Sequence, residues 1–365
     1  QQSTRSPLPE AAPLTVADLL GNTGTKGYAR ALEPRPFHLP AAHGPHADFR
    51  SEWWYLTGNL QTPEGRHFGY QFTIFRNRLA SPSEPEPEPS TLWTTVQAYL
   101  AHFALTDTES GRFHFFERFS RDSAGLAGAQ AEPFRVWVEN WSLSGDGSAP
   151  DFPLTLHAET PEVALHLTLR AAKPLVLQGD RGLSQKGHQP GNASYYYSYP
   201  RMNTSGTVAL NGTLISVAGS SWMDREWSSS ALESGQVGWD WFALQFSNGA
   251  ELMYYRLRRR DGSPDTTSRG VWVAPDGSTT ALEFGTVNLA VEASWTSPHT
   301  GTIYPAAWRL HARKLGLDAT VTPRLADQEI RGAIHYWEGA VQTEGTFKGQ
   351  PLRGVGYVEL TGYGD

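Results

Sequence analysis

The run GSSWMDREWSSSALESGQVGWDWFALQF, residues 219–246, decides how the rest of the chain is read. It holds Trp222, Trp227, Trp239 and Trp241 together with Asp224, Arg225, Glu226 and Asp240. A carboxylate withdrawn from water is strongly destabilising unless it is paired or hydrogen-bonded. Acids set among indoles therefore mark either a satisfied polar network or a site. Both halves of the run read as strands, and side chains alternate faces along a strand. That places Trp222, Asp224 and Glu226 on one face and Met223, Arg225 and Trp227 on the other. In the second half Trp239 and Trp241 share a face, opposite Asp240, Phe242 and Leu244. The Ser- and Gly-rich residues between the halves read as a loop joining two neighbouring strands.

Outward from this run the pattern is strand after strand. Residues 52–60 lead through a TPEG turn into 66–76, where Phe68, Tyr70, Phe72 and Ile74 alternate with more polar positions, as in a hairpin. Further strands are expected at 93–105, 112–119, 134–143, 153–158 and 163–170. A second series runs 206–219, 239–247, 250–258, 270–274, 279–295, 302–313, 332–347 and 352–361. Residues 178–206 read as a loop with a tyrosine cluster, and 81–90 (SPSEPEPEPS) as an extended proline-rich loop. A helical turn is expected around Val16 to Leu20 and a short helix near 323–328. Many short strands separated by turn residues give an all-β chain, in sandwiches or barrels. Ser51-Glu52-Trp53 is echoed by Arg225-Glu226-Trp227, a short sign of duplication. The expected division is a tether over 1–36, an N-terminal barrel over 37–195 and a C-terminal barrel over 196–365.

Composition narrows the function classes. The 365 residues carry a net charge of -7 with no basic block to offset it, which argues against a nucleic-acid partner. Arg256, Arg258, Arg259 and Arg260 read as a solvated strand end. The absence of cysteine removes disulfides, thiolate nucleophiles and Cys-ligated zinc. Serine-hydrolase, zinc-protease, Walker and dinucleotide-binding signatures are missing, so no cofactor is expected. The polar, proline-rich residues 1–13 resemble the tether after a signal peptide or lipid anchor. They suggest an extracytoplasmic location and contact with a membrane surface through such an anchor.

The candidate site follows from the opening run. Asp224 and Glu226 lie two apart on a strand, about 6–7 Å at Cα, and point the same way. Paired carboxylates perform acid–base work when burial or a neighbour raises one pKa. The alternative is a salt-bridge network with Arg225, Arg256 or Arg201. The aromatics Trp53, Trp54, Trp222, Trp227, Trp239, Trp241, Tyr254, Tyr336 and Trp337 suit either ordinary packing or a cavity for an elongated apolar ligand, whose transient cation their faces could stabilise. Tyr197 in the tyrosine cluster is a further candidate for the lining. Glu338 and Glu359 sit beside aromatics and could cap the same network. His43 and His46, near Asp48 and Glu52, fit a hydrogen-bonded loop better than a metal site, because they sit in a Gly/Pro loop; no metal is expected.

Several motifs together resemble one family. They are S-E-W-W-Y-L-T-G-N-L at 51–60, G-Y-Q-F-T-I-F-R at 69–76, Y-Y-S at 196–198, S-W-M-D-R-E-W at 221–227, Y-W-E-G-A-V at 336–341 and G-V-G-Y-V-E-L-T-G-Y at 354–363. The combination is similar to the AttH-like, carotenoid 1,2-hydratase-related family. The resemblance covers about 40–365. It implies two lipocalin-like, calycin-type antiparallel β-barrels packed together, an exported protein, and an extended apolar ligand. It further implies a hydratase- or cyclase-like enzyme that protonates a C=C bond; a lipid carrier or export accessory, and a hydrolase of an ester or glycoside, are the other readings. In the hydratases a D-H-x-W run and a following Y-x-D supply acid and aromatic groups. Asp224, Trp227 and Tyr254 match that pattern. Arg225 stands where His is expected and Arg256 where the second Asp falls, which weighs against carotenoid hydration. The expected catalytic set is Asp224, Glu226, Arg225 and Tyr254, and the expected lining is Trp222, Trp227, Trp239, Trp241, Trp54 and Tyr197.

Overall fold

The computed structural model describes residues 26–82, 96–149, 151–229 and 232–364. Among them the only helical pieces are three-residue 3-10 turns, and everything else regular is antiparallel strand. The first sheet contains β1 (Ser51–Gln61), β2 (His67–Arg78), β3 (Gln97–Asp107), β4 (Arg112–Arg121), β5 (Ala127–Gln130), β6 (Arg135–Val138), β7 (Trp141–Ser144), β8 (Leu154–Glu159), β9 (Val163–Ala171), β10 (Val176–Leu177), β11 (Leu183–Gln185), β12 (Ala193–Leu210) and β13 (Thr213–Ser228). Its order is β4-β3-β2-β1-β13-β12-β9-β8-β7-β6-β5, with β10 and β11 also on β12. The sheet curls until β4 touches β5 and β6.

The second sheet contains β14 (Gln236–Phe246), β15 (Glu251–Arg259), β16 (Arg269–Val273), β17 (Thr279–Leu282), β18 (Asn288–Thr296), β19 (Ile303–Ala312), β20 (Leu317–Pro323), β21 (Glu329–Arg331), β22 (His335–Phe347) and β23 (Gln350–Leu360). Its order is β17-β16-β15-β14-β23-β22-β20-β19-β18, with β21 on β22. Each curled sheet encloses its own core. Trp54, Phe72, Trp141 and Leu167 are among the side chains filling the first. Phe242, Trp308, Leu317 and Trp337 are among those filling the second. The result is the pair of lipocalin-like barrels that the sequence suggests.

The two barrels meet along the outer faces of their central strands. On β1, Trp54 and Leu56 point into the first core, while Trp53 and Tyr55 point out towards the second sheet. On β22 and β23, Trp337, Val341 and Val358 point into the second core, while Ala340 and Tyr357 face back. The approach is close: a Cβ on Gly69 would lie 2.6 Å from Ala340 Cβ and 2.7 Å from Tyr357 Oη. Hydrogen bonds stitch the seam, from Asn59 Nδ2 to Gly356 O at 3.2 Å and from Gln245 Nε2 to Pro200 O at 2.8 Å. Buried Glu251 receives Lys173 at 2.7 Å and Arg201 at 2.5 Å across the same seam. Strands covered on both faces lose the alternation that half-buried strands show.

That double burial explains the departures from expectation. The sheets change over at 229–235, because β12 and β13 belong to the first sheet; the expected boundary at 195–196 falls inside β12. Residues 178–206 are not a loop throughout. Tyr195, Tyr197 and Tyr199 face the first core and Tyr196 faces the seam, so the run looks aromatic rather than alternating. The two halves of the opening run, β13 and β14, are not paired to each other but lie in different sheets. Ser51-Glu52-Trp53 and Arg225-Glu226-Trp227 are cross-strand neighbours in the first sheet, with Glu52 opposite Trp227, rather than equivalent positions of two barrels. No helix forms at 323–328; Arg324 N–H donates to Ala340 O at 2.8 Å and Glu338 N–H to Gln328 O at 3.1 Å, which ties the segment to β22. The stretches 134–143 and 279–295 each divide into two strands. The turn expected at Val16 to Leu20 and most of 81–90 lie outside the described residues.

Candidate active site between the two barrels

A cleft of about 690 Å3, counting its open mouth, runs into the seam. Four carboxyl groups line it: Asp224 and Glu226 from β13, Glu338 from β22 and Glu359 from β23. Around them stand Trp53, Tyr55, Tyr196, Trp239, Trp241, Tyr255 and Tyr336, with Lys186 just beyond β11 as the cation. Strand register assembles this set. Ser198 lies opposite Asp224 and Tyr196 opposite Glu226 across β12 and β13. Glu338 lies directly opposite Glu359 across β22 and β23. Like charges at directly opposed positions repel.

Asp224 is buried and accepts from Tyr196 Oη at 2.6 Å, Ser198 Oγ at 2.5 Å and Trp222 Nε1 at 2.8 Å. Burial raises its pKa to about 7; the three donors pull it down but do not offset the desolvation, and the nearby Glu226 adds to the rise. Burial likewise raises Glu359 to about 7, against a hydrogen bond from Trp239 Nε1 at 3.1 Å and the charge of Lys186, with Glu226 and Asp224 adding to it. Glu338 is pushed well above the carboxylate range by burial and then by Glu359. The hydroxyls of Tyr55 and Tyr336 act on the Glu338 carboxyl. No well-formed hydrogen bond reaches Tyr55 Oη or Glu338 Oε1. Glu226 differs in its partners: Lys186 Nζ and Ser194 Oγ both bond its Oε1. Lys186 Nζ also lies 5.4, 5.6 and 5.9 Å from the ring centres of Tyr196, Trp53 and Tyr255, a cation held by aromatic faces. The cleft thus pairs acids that keep their protons near neutrality with an ion-paired carboxylate and aromatic walls.

Of the residues expected from sequence, Asp224, Glu226, Trp239 and Trp241 reach the cleft, and so do Trp53, Tyr336, Glu338 and Glu359. Trp222 stands behind Asp224 as a hydrogen-bond donor and packs on Trp241 at 6.3 Å. The others point elsewhere. Arg225 is on the opposite face of β13, inside the first barrel. There it meets Glu52, with its guanidinium 3.9 Å from the Trp54 ring centre. Arg76 completes that ion triad from β2. Burial alone would raise Glu52, but the two arginines hold it well below the carboxylate range. Trp54 donates to His43 O at 2.8 Å, Tyr197 Oη bonds His43 Nδ1 at 2.5 Å, and Trp227 stacks on His46 at 3.7 Å. His43 and His46 therefore form the hydrogen-bonded loop. Tyr254 lies opposite Phe242 in the second core, away from the acids. Strand parity settles all of these: even and odd positions of β1, β13 and β15, and of β12 as far as its bulge after Tyr199, belong to different compartments. Three of the four arginines expected to be solvated are engaged instead: Arg256 and Arg258 pair with buried Asp240 and Arg259 with Asp265 at 2.7 Å, while Arg260 is exposed. None of the three arginines considered as partners of Asp224 and Glu226 pairs with either carboxyl; Glu226 pairs with Lys186 instead.

Among the described residues, His188, Glu233 and Asp265 could place ligand atoms within 4.8 Å of one another, outside the cleft. Those atoms already serve each other and their neighbours: His188 bonds Glu233 at 2.7 Å and Thr266 at 3.0 Å, and Asp265 bonds Thr267 and Arg259.

Residues 30–363 match the family model described as AttH-like. The chain belongs to the AttH-like family. It is 25% identical over 215 residues to kievitone hydratase of Fusarium solani subsp. phaseoli, a match that spans 56% of this chain and 58% of that protein. The chain therefore matches little more than half the length of this curated relative. The crystal structure of a protein from Nitrosomonas europaea described as an AttH superposes with a TM-score of 0.79 at 34% identity, covering 92% of this chain and 99% of that one. Kievitone hydratase from Nectria haematococca superposes with a TM-score of 0.69 at 16% identity, covering 92% and 98%, and shares the fold. The AttH-like chain described here thus has a hydratase among its relatives.

Proposed function

We propose that the cleft between the barrels catalyses acid-assisted addition of water to a carbon–carbon double bond of an extended apolar ligand. The observation that carries this reading is Asp224: a buried carboxyl that holds its proton up to about pH 7, beside indole and phenol rings. Asp224 gives its proton to one alkene carbon, and the positive charge that forms on the other carbon faces Trp53, Trp239 and Trp241. A water oxygen bonds to that carbon and passes its extra proton to Glu226, which Lys186 keeps in place. Return of that proton from Glu226 to Asp224 through solvent resets both groups, and the sum is one water added to the double bond. The hydratase among the relatives supports the reaction class, and the aromatic lining supports an apolar substrate. Binding of the same ligands without turnover would instead support a carrier.

The test is a panel of isoprenoid and prenylated aromatic alkenes, followed by mass spectrometry for a gain of one water. Wild type is expected to hydrate at least one of them, and Asp224→Asn to lose about a hundredfold or more of the rate, as expected for a removed general acid. Turnover by Asp224→Asn at the wild-type rate would overturn the assignment.

A further inference from the structure

A chain of polar groups that this chemistry does not use crosses the seam from solvent to the cleft. His102 projects from β3 towards the second sheet and its ring is fully buried. Its Nε2 lies 2.9 Å from Glu117 Oε2 on β4, and its Nδ1 lies 2.7 Å from Tyr336 Oη on β22. Glu117 is 25% exposed and so touches water. Tyr336 and Glu338 lie two apart on the same face of β22 and both line the cleft, which sets the phenol beside the Glu338 carboxyl.

The chain is held in line. The Tyr336 ring is stacked on the imidazole at 5.7 Å, and Phe75 and Phe115 stand edge-on to it at 5.7 and 5.2 Å. Ala333 N–H donates to both Glu117 oxygens, at 3.1 and 2.9 Å. The titratable groups about His102 are Glu117 from β4 and Tyr336 from β22; His335 acts on Glu117, and Glu338 and Glu359 act on Tyr336. A buried imidazole needs a partner for each nitrogen. Here both partners can themselves carry a proton, one on the wet side and one on the dry side.

We propose that Glu117, His102 and Tyr336 form a proton relay between solvent and the Glu338 carboxyl in the cleft. In the inward direction a proton from water on Glu117 moves to His102 Nε2. The Nδ1 proton moves to Tyr336 Oη, and the phenolic proton moves to the Glu338 carboxylate. One proton is taken from water, one is delivered, and the imidazole changes tautomer; the outward transfer is the reverse and restores it. His102 is thus a positioning residue that acts through Tyr336 and touches no substrate. The proposal rests on the cleft being a place of proton chemistry, but its test needs neither substrate nor turnover.

The test follows hydrogen–deuterium exchange at the protonated Glu338 carboxyl by stopped-flow infrared spectroscopy of the full chain mixed into heavy water. The band is assigned by its loss in Glu338→Gln. His102→Phe is expected to slow the exchange at least tenfold without moving the band. Glu117→Gln, changed at the partly exposed end and so less disruptive to folding, is expected to slow it as well, with a wild-type melting temperature. Exchange in Glu117→Gln within twofold of wild type would overturn the relay, because protons would then enter through the cleft mouth.

Discussion

Replacing Asp224 by Asn should make the variant's stability, relative to wild type, change sign with pH. Asp224 is raised from 3.8 to about 7, chiefly by burial. At about 1.4 kcal/mol per pKa unit, a shift of roughly three units corresponds to about 4 kcal/mol. The folded state binds this proton more tightly than the unfolded chain. The group's contribution is therefore fully present below about pH 4 and is lost as pH rises towards about 7. Above that, the folded protein must hold a buried carboxylate. Asn cannot titrate, and it keeps an oxygen for Ser198 and Trp222, while Tyr196 must turn to accept from the new amide, at about 1 kcal/mol. The variant should be about 1 kcal/mol less stable than wild type near pH 4 and up to about 3 kcal/mol more stable near pH 8. Urea unfolding followed by tryptophan fluorescence at a series of pH values measures the difference. Glu359 titrates in the same range, and the Asp224 charge supplies only a minor part of its rise, so its contribution largely cancels in the comparison. A stability difference that stays constant from about pH 4 to 8 would refute the argument, since it would mean that Asp224 has the same proton affinity folded and unfolded.

Other substitutions separate the cleft from its supports. Lys186→Met removes the cation that lowers Glu359, so the Glu359 midpoint should climb above about 7 in a carboxyl-labelled NMR titration; an unchanged midpoint would contradict the role given to Lys186. Arg225→Met leaves Glu52 buried with Arg76 as its remaining arginine and should cost about 3–5 kcal/mol in urea unfolding. The titration of the cleft carboxyls should not move, because Arg225 faces the other compartment; a shifted Asp224 midpoint would place it in the site after all. Gly69→Val forces a side chain against Ala340 and Tyr357, and should destabilise by about 1–3 kcal/mol while water entering the seam brings Glu359 back towards ordinary carboxylate values. A well-folded variant with an unaltered Glu359 would show that the close approach at Gly69 does not keep the cleft dry.

Much of this architecture can be read from residues alone, and the unread part has one physical origin. The β1–β2 hairpin is legible because a TPEG turn separates two well-patterned strands. The common face of Asp224 and Glu226 follows from strand parity. What parity cannot give is the direction of that face, since Met223, Arg225 and Trp227 are as buried as Trp222, Asp224 and Glu226. One set fills a barrel and the other a seam between barrels, and both look apolar with a few charges. Parity alone does not exclude Arg225, Trp227, Trp54, Tyr197 and Tyr254 from the site, and they lie in the cores. Lys186 gave no signal, as it follows a three-residue strand in a Gly-, Gln- and Ser-rich run. His102 did leave one: a lone imidazole within AYLAHFAL, on the same parity as Leu100 and Thr106, which also face the second sheet.

The central claim is that an acid in the seam keeps its proton at neutral pH, and Asp224 is where it is tested most directly. Carbon-13 labelling of aspartate side chains, with Asp224 assigned by its absence in Asp224→Asn, gives the titration curve of this one carboxyl. The account predicts a midpoint near 7. A midpoint near 4, the value of an aspartate in water, would contradict it.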